Sequence, residues 1–125
     1  MSIVIDTSAL LALVKMEPGA DLVASALADG IVSPVILAEC LGKAGILGFD
    51  PSVVEREMLE PGLQVEPLLL ADIRAVARLH SLAHRNVSLA DRFCLALAIE
   101  RRLPLLTADR PWAALGLPLE LRFIR

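Results

Sequence analysis

Short apolar runs separated by turn-forming residues predict strands that alternate with helices along this chain. The first run ends at Asp6 and is apolar on both faces, which is typical of a central strand in a parallel sheet. Strands are expected at residues 2–6, 31–32, 63–68 and 104–107, and an edge strand is expected at residues 120–124. Segments with helical spacing lie between most of these runs.

Capping residues and helical spacing predict the helices. Thr7 or Ser8 is expected to cap the first helix, and Pro34 is well placed at the first position of the helix that carries Glu39. Helices are predicted at residues 9–14, 21–28, 34–47, 51–60, 70–84 and 89–101, with a short helical turn that starts near Asp109 and closes at Gly116. In the helix over residues 70–84, one apolar face is expected to hold Ile73, Val76, Ala77 and Ala83.

The alternation of strands and helices predicts a single α/β domain over residues 1–125. We expect a three-layer sandwich with a mostly parallel central sheet flanked by helices. Apolar residues make up 56% of the chain and aromatic residues only 3%. The core must therefore be filled mainly by Leu, Ala, Ile and Val.

The composition also favours a cytoplasmic location without membrane association. The longest apolar runs, residues 9–14 and 93–99, are much shorter than the ~20 residues that span a bilayer. No cationic side chain precedes Lys15, which argues against an export signal. Cys40 and Cys94 each lie in an apolar helical pattern, so we expect two buried thiols, as suits a reducing compartment.

The net charge of −3 is distributed unevenly. Residues 1–69 carry 3 basic and 10 acidic side chains, whereas residues 70–125 carry 9 basic and 5 acidic ones. The second half of the chain is therefore the part that is suited to meet a polyanion.

Four acidic residues are placed where an α/β sheet collects its ligands. Asp6 ends the first predicted strand, and Asp109 lies two residues beyond the strand that ends at Thr107. Asp91 falls in the first turn of its helix and Glu39 in about the second turn of its own. Because ligands bind outside the carboxyl ends of parallel strands, these four acids are expected to share one rim.

Helix capping is the competing interpretation for two of them. Asp91 completes a Ser-x-x-Asp pattern with Ser88, and Asp109 is placed to cap the turn before Trp112. Glu39 lies beyond the first turn among apolar neighbours, where an ionised carboxylate is costly unless it is paired or bound to a metal. Asp6 and Glu39 therefore provide most of the residue-level argument for a site.

Converging carboxylates need cations. Two like charges ~4 Å apart repel by about 4 kcal/mol at an effective dielectric constant of ~20. Oxygen ligands favour a hard ion, so Mg²⁺ or Mn²⁺ is expected rather than Zn²⁺. Ser8 and Thr107 stand beside these acids and can orient a carboxylate, but helix capping is the favoured interpretation of both hydroxyls.

Four blocks of the sequence resemble the PIN-domain family, in the order in which that family has them. The blocks are residues 3–9, residues 34–39, residues 88–91 followed by 94–98, and residues 106–109. They span nearly the whole chain, and the length is most similar to that of the VapC-type toxins of toxin–antitoxin pairs.

The resemblance implies a metal-dependent endoribonuclease. In that family the acids that match Asp6, Glu39, Asp91 and Asp109 bind Mg²⁺ or Mn²⁺ and cleave RNA. A small antitoxin protein inhibits the toxin, which is typically a homodimer. So apolar a chain is also expected to expose surfaces for such partners. Arg92 and Arg110 are candidates for RNA contact, because each directly follows a proposed metal ligand.

Other functions compete with this one. A phosphatase with Asp6 as nucleophile needs a second acid two residues later, where Ser8 stands. A non-catalytic PIN-like module that binds RNA or protein, with its acids serving only as caps, is the alternative. His80 and His84 have a spacing that can hold a metal, but without a third ligand nearby a surface or capping role is favoured.

Overall fold

Five parallel strands form the centre of the computed structural model, which describes residues 1–125. The strands are β1 (Ile3–Ile5), β2 (Gly30–Val32), β3 (Gln64–Val65), β4 (Leu105–Thr107) and β5 (Leu121–Phe123). Their order in the sheet is β3-β2-β1-β4-β5, and every neighbouring pair is parallel. The predicted α/β fold is confirmed, and the sheet is entirely parallel rather than mostly so.

Six α-helices connect and flank these strands. They are α1 (Thr7–Val14), α2 (Ala20–Ala26), α3 (Pro34–Ile46), α4 (Pro51–Leu59), α5 (Leu70–Arg78) and α6 (Leu89–Arg101). Three short 3-10 segments follow α2, α5 and β4, at Leu27–Asp29, His80–Arg85 and Arg110–Leu115. The expected start of α3 is confirmed, since Ser33 caps it through the Val35 amide and Pro34 is its first residue.

The core lies around β1 and β4. All three residues of each strand are buried, which agrees with apolar runs that have no polar face. The inward side chains of α1, α3 and α6 cover them, and Leu10, Ile36 and Leu95 are fully buried. Cys40 and Cys94 are both free and buried, so the prediction of buried thiols is confirmed.

The single helix predicted over residues 70–84 is wrong. The α-helix ends at Arg78, and a 3-10 segment continues to Arg85 before Asn86 turns with a φ of 60°. This change of helix type places Leu82 and Val87 in the main core. Tertiary packing therefore overrides the regular helical spacing.

Of the predicted apolar face of this segment, only Val76 is buried. Ile73, Ala77 and Ala83 are exposed. Beside Val76, the inward face of α5 carries Ala75 and a buried acid, Asp72. The helix is rotated because that acid pairs with Arg101 of α6.

Smaller differences lie at the edges of the sheet. The strand expected over residues 63–68 contains only Gln64 and Val65, and both are exposed. β5 forms the other edge, inside the range that was expected. No helix of the structure has the length and apolar character needed to cross a bilayer.

Candidate metal centre

Asp6 lies between β1 and α1, and only one of its two carboxylate oxygens accepts hydrogen bonds from side chains. It occupies the N-cap position of α1 without making a side-chain capping bond. Ser8 Oγ donates to Asp6 Oδ2 over 2.8 Å, and Thr107 Oγ1 donates to the same oxygen over 2.9 Å. Hydroxyls from α1 and β4 thus fix one carboxylate oxygen.

The other oxygen of Asp6 is buried without a partner. Asp6 is 2% exposed, and its Oδ1 has no hydrogen-bond donor. Burial raises the pKa of this carboxyl to about 6; the hydrogen bonds from Ser8 and Thr107 oppose the rise, and the charge of Asp91 adds to it. A buried, unpartnered carboxylate oxygen is an unfavourable arrangement that a bound cation would relieve.

Asp91 makes the capping contacts that its sequence pattern predicts. Its Oδ2 accepts the Ser88 N–H over 3.1 Å, and its own N–H donates to Ser88 Oγ over 3.1 Å. This reciprocal pair starts α6. Capping uses one carboxylate oxygen of Asp91 and leaves the other without a protein partner.

Asp109 does not cap the segment that follows it, so the capping interpretation is wrong for this acid. It stands at the N-cap position of the 3-10 segment but makes no side-chain bond there. Its own N–H donates to Thr107 Oγ1 over 3.0 Å. Burial, and then the charge of Asp91, raises the pKa of Asp109 above its ordinary value.

Glu39 is not in the apolar environment that its neighbours suggested. Its side chain is 24% exposed and lies 3.7 Å from the Lys43 ammonium, measured from Oε2 to Nζ. Thr7 Oγ1 donates to the other oxygen, Oε1, over 2.5 Å. Adjacent residues of a helix point in different directions, so Cys40 is fully buried while Glu39 stays partly exposed.

One cavity brings the four acids together. It has a volume of about 500 Å³ and only one apolar lining residue, Leu11. The lining contains Asp6, Glu39, Asp91 and Asp109, a fifth acid (Glu17), the basic side chains of Lys15, Lys43 and Arg125, and the hydroxyl residues Thr7, Ser8 and Ser88. The expectation of one shared rim agrees with this geometry.

The acids do not form a closed coordination shell. No three His, Cys, Asp or Glu side chains stand close enough together to hold a metal ion. Glu39 is drawn to Thr7 and Lys43, and Asp91 is partly engaged in capping. The donors nevertheless suit a hard divalent cation, because they are all carboxylate oxygens and Asp6 Oδ1 is unpartnered.

The helix-cap interpretation of the two hydroxyls is wrong for Ser8 and incomplete for Thr107. Ser8 lies within α1, and its Oγ bonds to Asp6 and accepts the Ala108 N–H over 2.9 Å. Thr107 belongs to β4; its hydroxyl donates to Asp6 and also accepts the Asp109 N–H. Both hydroxyls therefore connect the first acid to the loop that carries the last one.

The two arginines chosen from the sequence lie outside the cavity lining. Arg92 Nε donates to the Ser88 carbonyl over 3.3 Å. Arg110 Nε donates to the Arg125 carbonyl over 2.8 Å, and its guanidinium stacks 5.1 Å from the centre of the Phe123 ring. His80 and His84 are exposed on the 3-10 segment, away from the acids.

Sequence reasoning missed the basic residues of the cavity. A signal for Lys43 was present, since it lies four residues after Glu39 and so on the same helix face. Lys15 and Arg125 gave no such signal.

The Arg125 guanidinium donates to the Pro18 carbonyl over 3.0 Å. Gly19, with a φ of 96°, permits this approach, because a Cβ there would lie 2.5 Å from the Ile124 carbonyl oxygen.

Comparisons with known proteins agree with the fold. The family model described as PIN domain matches residues 3–116. Among solved structures, a toxin–antitoxin complex from Klebsiella pneumoniae aligns with a TM-score of 0.77 at 20% identity, over 99% of this chain and 98% of that one. VapBC2 from Rickettsia felis, bound to a DNA fragment from its promoter, aligns with a TM-score of 0.75 at 15% identity, over 98% of both chains.

A third structure is more similar in sequence. VapBC-5 from Mycobacterium tuberculosis, a member of the VapBC family of toxin–antitoxin systems, is 26% identical, with a TM-score of 0.58 over 99% of this chain and 98% of that one. No curated protein matches the sequence.

Proposed function

This chain belongs to the PIN domain family, and we propose that it is a divalent-cation-dependent endoribonuclease that acts as the toxin of a toxin–antitoxin pair. The observation that carries the proposal is the environment of Asp6. Its Oδ1 is buried and unpartnered, in a cavity that three other acids also line. PIN domains of the VapC type are typically nucleases, and the neighbours named above are toxin–antitoxin assemblies.

Asp6 and Asp91 are the residues proposed to hold Mg²⁺ or Mn²⁺ chiefly, with Asp109 and Glu39 completing the set. The bound ion would lower the pKa of a water molecule and offset the charge of the scissile phosphate. Ser8 and Thr107 hold Asp6 by Oδ2 and thereby leave Oδ1 free on the cavity side. Glu39 must exchange its contact with Lys43 if it is to join the other acids.

Cleavage of single-stranded RNA by purified protein tests the proposal. We expect cleavage with Mg²⁺ or Mn²⁺, loss of cleavage on chelation, and a loss on the order of 100-fold or more in Asp6→Asn, as is common when a metal ligand or its support is removed. Calorimetric titration with Mn²⁺ should show weaker binding by Asp6→Asn. Asp29→Asn is the matched control, because Asp29 is exposed and outside the cavity.

Two results would contradict the assignment. Undiminished cleavage by Asp6→Asn would show that the reaction does not depend on the proposed carboxylate metal site. RNA binding without cleavage at any Mg²⁺ or Mn²⁺ concentration would favour the non-catalytic alternative.

The antitoxin part of the proposal is supported by an apolar groove. A cavity of about 560 Å³ between α1, α2 and α4 is lined by twelve residues, of which nine are hydrophobic. Met16 is 87% exposed beside it, and Phe49 is 42% exposed. A groove of this kind takes the apolar face of an amphipathic helix, and a small antitoxin is the proposed occupant because the structural neighbours are toxin–antitoxin complexes.

A homodimer is proposed on a separate surface. Leu68, Leu69, Leu70 and Ile73 form an exposed apolar patch at the start of α5. None of these residues lines the groove proposed for the antitoxin. The patch therefore leaves room for a second copy of the chain while the groove is occupied.

A further inference from the structure

The acidic cavity has basic side chains in its lining, and each of them makes only a long ion pair with an acid, although Arg125 also donates to the Pro18 carbonyl. Lys43 Nζ lies 3.7 Å from Glu39 Oε2. Lys15 Nζ lies 3.4 Å from Glu17 Oε2, and an Arg125 guanidinium nitrogen lies 3.6 Å from Glu17 Oε1. All three distances exceed the length of a typical charge-assisted hydrogen bond.

Ion pairs elsewhere in the molecule are closer. Arg101 and Asp72 approach to 2.8 Å, and Arg78 and Glu100 approach to 2.9 Å, each with a direct hydrogen bond. The Lys43 side chain is 54% exposed, against 28% for Arg101. Pairs of this open kind contribute ~0–1 kcal/mol to stability, so their cations can change partners at little cost.

Charge complementarity indicates which ligand these basic side chains bind. An RNA backbone that enters the cavity brings phosphate charges close to five carboxylates, which repel it. Lys15, Lys43 and Arg125 are the only basic residues in the lining. They are therefore the groups of the cavity wall that can attract the phosphates that neighbour the phosphate at the cation site.

We propose that three side chains bind the backbone phosphates next to the bond that is cut: Lys43 of α3, Lys15 at the end of α1, and Arg125 beyond β5. This inference rests on the proposed ribonuclease function and deepens it, since it assigns the positioning of the RNA strand. Arg92 and Arg110 do not share this role, because neither of them lines the cavity.

The dependence of RNA binding on salt tests this assignment. A short fluorescent single-stranded RNA is titrated with the protein in a buffer that contains Ca²⁺. The Kd is measured by anisotropy at salt concentrations from about 50 to about 300 mM. For Lys43→Gln and for Arg125→Gln we expect Kd to rise about 3- to 10-fold at low salt. We expect the slope of log affinity against log salt to fall in magnitude by about 0.7 for each phosphate contact that is lost.

Conservative and control variants separate positioning from structure. Lys43→Arg should restore both the affinity and the salt slope, because it keeps the charge. Arg74→Gln removes an exposed cation outside the cavity and should remain within about 2-fold of the wild type. In cleavage assays, Lys43→Gln should raise KM by a larger factor than it lowers kcat.

The outcomes distinguish this inference from the function on which it rests. If Lys43→Gln and Arg125→Gln match Arg74→Gln in Kd and salt slope while the wild type cleaves RNA, the positioning role is wrong and the ribonuclease stands. If the wild type neither binds nor cleaves RNA, both are wrong.

Discussion

A single carboxylate, Asp6, combines burial, two hydroxyl donors on one oxygen and none on the other. Evolution of a stable core alone does not favour this arrangement, because an ionised buried oxygen without a partner lowers the free energy of unfolding. A cation bound to the same oxygen would offset this unfavourable free energy. Stability and metal binding are therefore linked at this residue.

We predict that Asp6→Asn stabilises the metal-free protein at neutral pH. The pKa of Asp6 rises from 3.8 to about 6 on folding, so the folded state binds the proton more tightly than the unfolded state does. The unfavourable contribution of the charge therefore develops as the pH rises from about 4 to about 6 and is complete above that. Urea unfolding in EDTA should show a gain of about 1 to 3 kcal/mol at pH 8 and almost none at pH 4.

With Mg²⁺ present, the wild type should become more stable than Asp6→Asn, because the ion stabilises only the protein that retains the carboxylate. Asp29→Asn is the control and should show no such pH dependence, since Asp29 is exposed. A stability difference between Asp6→Asn and wild type that is equal at pH 4 and pH 8 would contradict the prediction.

At the scale of residues, sequence reasoning identified the acids more reliably than their environments. It identified the capping contacts of Asp91, because they depend on spacing within one helix turn. It misjudged Asp109 and Glu39, because their surroundings depend on elements far along the chain. The pairing of Arg125 with Glu17, more than 100 residues away, lies beyond what local patterns can predict.

Helix α5 shows how one buried ion pair sets the orientation of an element. Asp72 is 7% exposed; its Oδ2 accepts the Leu69 N–H over 2.9 Å, and Arg101 donates to both of its oxygens over 2.8 and 3.2 Å. The start of α5 is thus tied to the end of α6. A pattern of apolar residues cannot predict that an acid faces inward, which explains the error in the predicted face.

We predict that Asp72→Asn lowers the free energy of unfolding by about 1 to 3 kcal/mol at pH 7, because Arg101 loses its charged partner. The hydrogen bond from Arg101 is the main reason that the pKa of Asp72 is lowered. The stabilising contribution is therefore present above the ordinary pKa of an aspartate, and it is lost as the pH falls through the lowered folded-state pKa.

Urea unfolding of wild type and variant over a pH series measures this effect. Glu100→Gln breaks the exposed pair with Arg78 and serves as the control, with an expected change of ~0–1 kcal/mol. Equal losses in the two variants would show that the Asp72 pair has no special role.

At the scale of the molecule, the parallel sheet itself assembles the site. Pairing of β1 with β4 aligns Ile5 with Leu106, so Asp6 and Thr107 follow at the same edge. The right order of strands and helices could be predicted from the sequence, because each apolar run and each cap is local. The two surfaces proposed for partners could be expected only in general, since their location depends on which apolar side chains the packing leaves outside.

We predict that the apolar groove binds the antitoxin of the proposed toxin–antitoxin pair. Met16→Glu or Phe49→Glu should weaken the complex by about 10-fold or more, since each places a charge in an apolar contact. Calorimetry with the purified partner measures the affinity. Leu22→Glu is the control because Leu22 is 49% exposed and outside the groove, and equal affinities for all three variants would exclude the groove.

We predict that the patch at the start of α5 joins two copies of the chain. Light scattering after size exclusion should give about twice the monomer mass of 13.4 kDa. Leu70→Glu should yield the monomer, because Leu70 is 63% exposed and a charge there opposes apolar contact, while an acid in the first helical turn is compatible with folding. Leu22→Glu should remain dimeric. A monomeric wild type at micromolar concentration, or a dimeric Leu70→Glu, would contradict this interface.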